Sequence, residues 1–321
     1  MKHLRIIFMG TPDFAVPSLE ALLQHGCNIV GVITSPDRPA GRGQKITASP
    51  VKQFSLEKGL HILQPVNLKS PEFIEELRSL NADLQIVVAF RMLPESVWAM
   101  PKFGTFNLHA SLLPDYRGAA PINWAIINGE RTTGITTFFL NHEIDTGAIL
   151  FQESIEIGSE ETAGVLHDRM MVKGAALVLK TVDAIASGNL TPVEQSYLLN
   201  GRQPKSAPKL NKDNISINWN YSATQIFNFI RGLSPYPAAH ATIKNMQSQQ
   251  VITCKIYAAL IQENSVSKTP GSIETDGKNH LLVNCGEESL SIHEIQIAGK
   301  QRMKVKDLLN GFRIDENWQF I

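Results

Sequence analysis

Short apolar runs and helical spacings alternate through the first half of the chain, and this alternation narrows its possible folds more than any other feature. Residues 4–9 read as a strand ending at Gly10. Val16–Gln24 carries apolar residues at 16, 19, 22 and 23, a helical spacing, with Gly26 placed to stop it. Asn28–Ile33 reads as a second strand. Ser70-Pro71-Glu72 opens a helix with a capping hydroxyl, a proline at the first position and an acid in the first turn. Phe73, Ile74, Leu77 and Leu80 give that helix one apolar face. Residues 84–90 are rich in β-branched side chains, as a strand covered on both faces requires. Residues 104–108 and 134–140 read as further strands. Leu166, Met170, Val178, Val182 and Ile185 mark a long amphipathic helix within residues 160–187. The pattern predicts an α/β unit with a mostly parallel sheet and helices on both faces. Such sheets place their sites at the carboxyl ends of strands, which directs attention to residues 10–14, 35–48, 90–94 and 107–118.

After Gly188 the texture changes. Residues 189–208 hold Pro192, Pro204 and Pro208 among polar residues without periodicity, and read as a linker. Beyond it, residues 223–230 look helical. Short strands are expected at 251–258, 271–275, 281–283 and 290–297, predicting a small, mainly β domain of the barrel type. The organisation expected is therefore a first domain at 1–189, a linker at 190–208 and a second domain at 209–321. A length of 321 residues suits two domains.

At 43% hydrophobic and 19% charged residues, the composition excludes a disordered or low-complexity chain. No apolar run approaches the roughly 18 residues that cross a bilayer. The opening MKHLRIIFMGTPDF is broken too early by Gly10, Pro12 and Asp13 to serve as a signal peptide. Cys27, Cys254 and Cys285 lie too far apart for a disulfide framework, and no paired motif suggests structural zinc. A reducing, cytoplasmic setting follows as the expectation. Net charge is zero, but residues 202–321 hold 14 Lys and Arg against 10 Asp and Glu. That excess hints at an anionic partner for the second domain, though unevenly scattered surface charge reads the same way.

Neither GxGxxG after the first strand nor GxxxxGK[ST] anywhere is present, which argues against dinucleotide and P-loop chemistry. Gly41-Arg42-Gly43 is a glycine-flanked cation, either a plain surface turn or a phosphate contact. The densest polar constellation is Asn107-Leu108-His109-Ala110-Ser111-Leu112-Leu113-Pro114, followed by Arg117-Gly118-Ala119-Ala120-Pro121. If 104–108 is a strand, Asn107 and His109 share a face at its carboxyl end. An amide donor beside an imidazole can hold an oxyanion and handle a proton. Asp145, in Asn141-His142-Glu143-Ile144-Asp145-Thr146-Gly147, is placed to orient His109. Without an evident nucleophilic Ser or Cys, the set suits direct attack by a substrate amine on an acyl carbon. On spacing alone, Asn107 and His109 could equally satisfy loop backbone groups, with Asp145 in an Asx turn. His109, His142 and Asp145 lack the spacing of a metal motif, so no metal is expected.

These runs, with the opening Met9-Gly10-Thr11-Pro12-Asp13-Phe14, resemble the folate-dependent formyltransferases. Within that superfamily the chain is most similar to the methionyl-tRNA formyltransferase branch. The similarity rests on Pro36-Asp37-Arg38-Pro39-Ala40-Gly41-Arg42-Gly43, Tyr116-Arg117-Gly118-Ala119-Ala120-Pro121-Ile122, Ala207-Pro208-Lys209-Leu210, Ile217-Asn218-Trp219 and Ile230-Arg231-Gly232-Leu233-Ser234-Pro235-Tyr236-Pro237. It covers nearly the whole chain in order. It implies a Rossmann-like formyltransferase domain followed by an OB-like, tRNA-binding barrel. It also implies transfer of a formyl group from 10-formyltetrahydrofolate to the α-amino group of methionyl initiator tRNA by a cytoplasmic enzyme expected to act as a monomer. By the same resemblance Asn107, His109 and Asp145 are the catalytic trio. Ser111, Leu112, Leu113 and Pro114 would touch the folate, and Arg42, Lys209 and Arg231 the tRNA.

The chain departs from the family pattern at Phe90-Arg91-Met92-Leu93-Pro94, where Arg91 stands in place of a common glycine beside the expected folate pocket. It has Ile217-Asn218-Trp219 where Ile-Asp-Trp is common. Two other readings share the scaffold: a formyltransferase acting on a nucleotide-linked amino sugar, and a non-catalytic RNA-binding protein. The 37–43 stretch DRPAGRG and the Ala119-Ala120-Pro121-Ile122 segment favour tRNA over the sugar, and three convergent polar groups argue against a mere binding module.

Overall fold

A computed structural model describes residues 4–40 and 45–321. In chain order it contains β1 (Arg5–Gly10), α1 (Val16–Gln24), β2 (Asn28–Ile33), β3 (Arg38–Ala40), β4 (Lys45–Thr47), α2 (Pro50–Glu57), β5 (Ile62–Leu63), α3 (Pro71–Ser79), β6 (Leu84–Val88), α4 (Glu95–Trp98), β7 (Thr105–His109), β8 (Arg117–Gly118), α5 (Pro121–Ile127), β9 (Thr132–Phe139), β10 (Ile149–Glu156) and α6 (Ala163–Ser187). There follow α7 (Gln195–Leu199), β11 (Ser206–Ala207), α8 (Ala223–Leu233), β12 (Ala239–Asn245), β13 (Val251–Lys268), β14 (Ile273–Thr275), β15 (Leu281–Asn284), β16 (Gly286–Ile297), β17 (Met303–Lys304), α9 (Val305–Gly311) and β18 (Trp318–Phe320). These fall into two compact units that interleave in sequence. One comprises residues 1–118, 132–156 and 167–206, the other 119–131, 157–166 and 207–321.

The first unit is built on a seven-stranded sheet of order β10-β9-β7-β6-β1-β2-β5. The five strands from β7 to β5 run parallel, and β9 and β10 extend that sheet antiparallel. The mostly parallel α/β sheet expected from the alternation is thus what forms. Its centre is dry: Ile6, Ile7, Phe8 and Met9 of β1 are fully buried, and β6 is buried along its whole length. Helices α2 and α3 begin where the sequence offers caps. The Ser70 hydroxyl accepts from the Phe73 N–H (3.3 Å) and the Ser49 hydroxyl from that of Lys52 (3.1 Å), each just ahead of a proline. The strand expected over 84–90 stops at Val88, because Ala89 turns the chain with a φ of 47°. β10 forms the sheet edge, and its more buried positions alternate with exposed ones from Phe151 to Glu156.

The polar stretch 190–206 holds more structure than its composition suggests. Val193 exchanges both backbone hydrogen bonds with Ile149 at 2.8 Å, α7 follows, and the Lys205 carbonyl accepts from the Tyr116 N–H (2.6 Å).

In the second unit an antiparallel sheet runs β14-β15-β16-β13-β12-β18. Its two ends meet where Ser272 bridges Gln319 and the Phe320 N–H donates to the Gly271 carbonyl (2.8 Å), so the barrel nearly closes. Gly271 has a φ of 80°, and a Cβ there would stand 2.2 Å from the Phe320 carbonyl oxygen, so only glycine permits the closure. Trp219 and Phe320 pack with ring centroids 4.8 Å apart and planes tilted by 48° inside the core, with Ile256 and Ile295 fully buried. Helix α8 starts with a capping box between Ser222 and Gln225. Against it lies α5, tied by the Asn123 amide to the Gly232 carbonyl (2.8 Å). The Trp124 indole N–H donates to the Pro208 carbonyl (2.8 Å).

Candidate active site

Strand β7 carries Asn107 and His109 two residues apart, so both project from one face near its carboxyl end. Opposite them in β9 stand Phe138 and Thr136. The two side chains meet different surroundings. Asn107 is partly exposed, and its amide meets no hydrogen-bond partner among the described residues. His109 is only 6% exposed and lies edge-on to the Phe138 ring at 6.4 Å.

The His109 ring is oriented by backbone. Its Nε2 lies 2.8 Å from the Tyr116 carbonyl oxygen. A carbonyl can only accept, so Nε2 carries the hydrogen and the lone pair of the neutral ring is on Nδ1. Nδ1 faces Oδ2 of Asp145 at 3.8 Å. That gap is too long for a hydrogen bond, yet short enough to stabilise a positive ring. The Tyr116 carbonyl thus orients the ring, and the Asp145 carboxylate stands where it would face a protonated Nδ1. The Asp145 carboxylate is held in turn by the Gly118 N–H, which donates to Oδ2 at 2.9 Å.

Unusual backbone gathers in these loops. Ala89 after β6, Tyr116 after β7 and Asp145 after β9 have φ values of 47°, 61° and 55°. Non-glycine residues rarely adopt this region, and such outliers cluster at functional sites. The loop after β9 is closed tightly: Asn141 Oδ1 accepts from the Glu143 N–H (3.1 Å) and the Thr146 hydroxyl (2.9 Å). A Cβ on Gly147 would stand 1.7 Å from the Phe139 carbonyl oxygen.

Ser111, Leu112, Leu113 and Pro114 form the loop leaving β7. The Ser111 hydroxyl is fully buried and donates to the Asp115 carbonyl (2.6 Å). The Leu113 N–H donates to Thr136 Oγ1 (3.2 Å), and its carbonyl accepts from Gln152 Nε2 (2.8 Å). Leu113 and Pro114 are buried, so Leu112, half-buried, is the most accessible of the four.

Two domain families match the chain: formyl transferase over residues 4–182, and the formyl transferase C-terminal domain over residues 209–313. The chain belongs to the formyl transferase family. Among its relatives, a methionyl-tRNA formyltransferase of Bacteroides fragilis is 51% identical over 98% of this chain and 97% of its own. Another, of Phocaeicola vulgatus, is 52% identical over 98% of each. Of the solved structures, an N-formyltransferase from Helicobacter canadensis, in complex with folinic acid and dTDP-3-aminofucose, superposes with a TM-score of 0.66. It is 20% identical and covers 90% of this chain and 98% of its own, a likeness of fold.

Within this formyl transferase, the expected tRNA contacts fare differently. Arg42 lies outside the described residues. Lys209 is exposed. Arg231 is 7% exposed, and its guanidinium donates to the carbonyls of Gly158 (3.2 Å) and Glu161 (3.0 Å) and to Asn228 Oδ1 (2.8 Å). Burial pulls its pKa down. The expectation that Arg231 reaches a phosphate does not fit this geometry: its donors bind the protein's own carbonyls.

Arg91, the departure from the family pattern, donates to the carbonyls of Pro65 and Val66, tying the loop after β6 to the one after β5. Its pKa too is lowered, by burial first and by neighbouring Arg38 second. Among the described residues no group of three His, Cys, Asp or Glu converges as a metal site requires, and no helix is long and apolar enough to cross a membrane. Tyr116 and Gly118 were missed as site residues because they act through backbone atoms, which leave no chemical signature in sequence.

Proposed function

We propose that this formyl transferase moves the formyl group of 10-formyltetrahydrofolate to the α-amino group of methionine esterified to initiator tRNA. The supporting observation is identity near 50% over almost the full length of both chains to relatives that carry the methionyl-tRNA formyltransferase name. The site chemistry agrees. Asn107 presents an unengaged amide to the oxyanion that forms as the amine attacks the formyl carbon. His109 Nδ1 takes the proton released from the attacking nitrogen. The imidazolium so formed donates through Nε2 to Tyr116 and faces the Asp145 carboxylate through Nδ1. As the tetrahedral intermediate collapses, the bond from the formyl carbon to the folate nitrogen breaks. His109 returns its proton to that nitrogen, releasing tetrahydrofolate. The chain works in the cytoplasm as a monomer, with the exposed Lys209 and the glycine-flanked Arg42 meeting the tRNA.

The test is formyl transfer by purified protein from 10-formyltetrahydrofolate to charged initiator tRNA, charged elongator tRNA or an amino-sugar nucleotide. Preference for the first supports the proposal. Formylation of the sugar nucleotide alone overturns it.

A further inference from the structure

Gln195 lies in α7, in a stretch whose composition reads as linker, yet it is 2% exposed and sits against the loop that carries Asp145. Its Nε2 donates to the carbonyls of Asp145 (2.8 Å) and Gly147 (2.9 Å). Its Oε1 accepts from Arg117 Nε (3.1 Å) and Nη2 (2.6 Å). The side chain's two donors and two lone pairs are therefore all engaged. The amide orientation is unambiguous, since a flip would set oxygen against two carbonyls and nitrogen against a guanidinium.

One of these four bonds reaches Asp145 itself, and the other three hold residues beside it. The Asp145 carbonyl is fixed directly. Arg117 immediately precedes Gly118, whose N–H grips Asp145 Oδ2 at 2.9 Å. The Val193 and Ile149 backbones, joined at 2.8 Å, anchor the approach to α7 beside the same loop. Asp145 is held at a φ of 55°, a conformation a free loop would leave readily. It faces His109 at 3.8 Å without a direct hydrogen bond, so nothing between the two side chains fixes their separation.

We infer that Gln195 is a positioning residue for formyl transfer: it locks the backbone of Asp145 and the Arg117–Gly118 strand, and so sets the carboxylate against the His109 cation. The inference rests on the role of Asp145 proposed above.

The experiment compares the full chain with Gln195→Met, Gln195→Glu, Asp145→Asn and the double variant Gln195→Met/Asp145→Asn, scoring kcat, both KM values and the pH profile of kcat. Gln195→Met should lose about 10²-fold in kcat, the scale of a misplacement near 1 Å, with both KM values within about twofold. The limb of the pH profile that reports the His109 base should move, which general loosening of the fold does not cause. Gln195→Glu keeps the shape but turns an oxygen toward the Asp145 and Gly147 carbonyls. It should also lose kcat, and it decides the matter if the Met variant fails to fold. In the Asp145→Asn background, Gln195→Met should add less than about threefold, because groups acting as a unit are non-additive. Wild-type kcat and pH profile in Gln195→Glu, or multiplicative losses in the double variant, would overturn the inference while leaving Asp145 in place. Full activity of Asp145→Asn would overturn the catalytic reading and this inference with it.

Discussion

His109 and Asp145 are coupled through charge rather than through a hydrogen bond: Nδ1 and Oδ2 stand 3.8 Å apart, while Nε2 of the same ring is bound to the Tyr116 carbonyl at 2.8 Å. The backbone contact fixes the ring through Nε2, and in the reaction proposed above the carboxylate matters once Nδ1 is protonated. Substituting His109→Gln and Asp145→Asn singly should each cost activity, and the pair should cost little more than the worse single change. Single-turnover rates of the three variants measure this, and independent multiplicative losses would contradict it.

Asn107 offers a cleaner probe. Its amide has no side-chain partner among the described residues, so Asn107→Ala removes no bond from the folded protein. The variant should keep its melting temperature within a degree or two and lose on the order of 10²–10³ in kcat. Retention of a third of wild-type kcat would show that the oxyanion is held elsewhere.

Arg231 and Lys209 should separate stability from tRNA affinity. Arg231→Ala leaves the Gly158 and Glu161 carbonyls without these donors and should destabilise the protein by about 1–3 kcal/mol, read by urea melts. The salt dependence of tRNA binding should not change. Lys209→Ala should do the reverse, leaving the melt unchanged and lowering the salt slope by about one unit if its ammonium meets a phosphate.

The three cysteines should be inert in the native protein. Burial pushes the thiols of Cys254 and Cys285 up to about 12, with Glu288 adding to the effect at Cys285, and burial also raises Cys27. The thiolate is the reactive form, so a thiol reagent at pH 8 should modify none of them within minutes. In denaturant all three should react at once. Fast native labelling of Cys254 would mean that the barrel opens readily.

Gly147→Ala should destabilise the loop after β9. The added Cβ would stand 1.7 Å from the Phe139 carbonyl oxygen, and the backbone must give way. A stability loss of about 2 kcal/mol or more is expected, with a fall in kcat because Asp145 lies two residues away. Calorimetry and single-turnover assays on the same preparation would check both.

Much of the sheet was legible because period and caps agree with burial. Val16–Gln24 and Asn28–Ile33 form with those limits, and Ser70 caps α3. β12 and β18 escaped notice since β12 sets polar His240, Thr242 and Lys244 between small and apolar residues, and β18 is only three residues long. In the site, Asn107, His109 and Asp145 stood out by chemical type. Tyr116 and Gly118 contribute only a carbonyl and an N–H, and Gln195 hid in a polar segment that lacks periodicity. Arg231 misled for the opposite reason: its charge suggested a surface, whereas three acceptors hold it inside.

The interleaving of the two units has a consequence for how the chain is made. Residues 1–118, 132–156 and 167–206 have all left the ribosome before most of the barrel exists, so the first unit has its whole sequence in hand early. Residues 119–131 and 157–166 are in the opposite position. The face of α5 that carries Asn123 and Ile127 stays bare until Ala223–Leu233, against which it packs, is translated. Synthesis thus carries a waiting period during which an apolar helix has no cover, and a stalled or shortened product ending near residue 206 would retain that face as a target for chaperones and proteases.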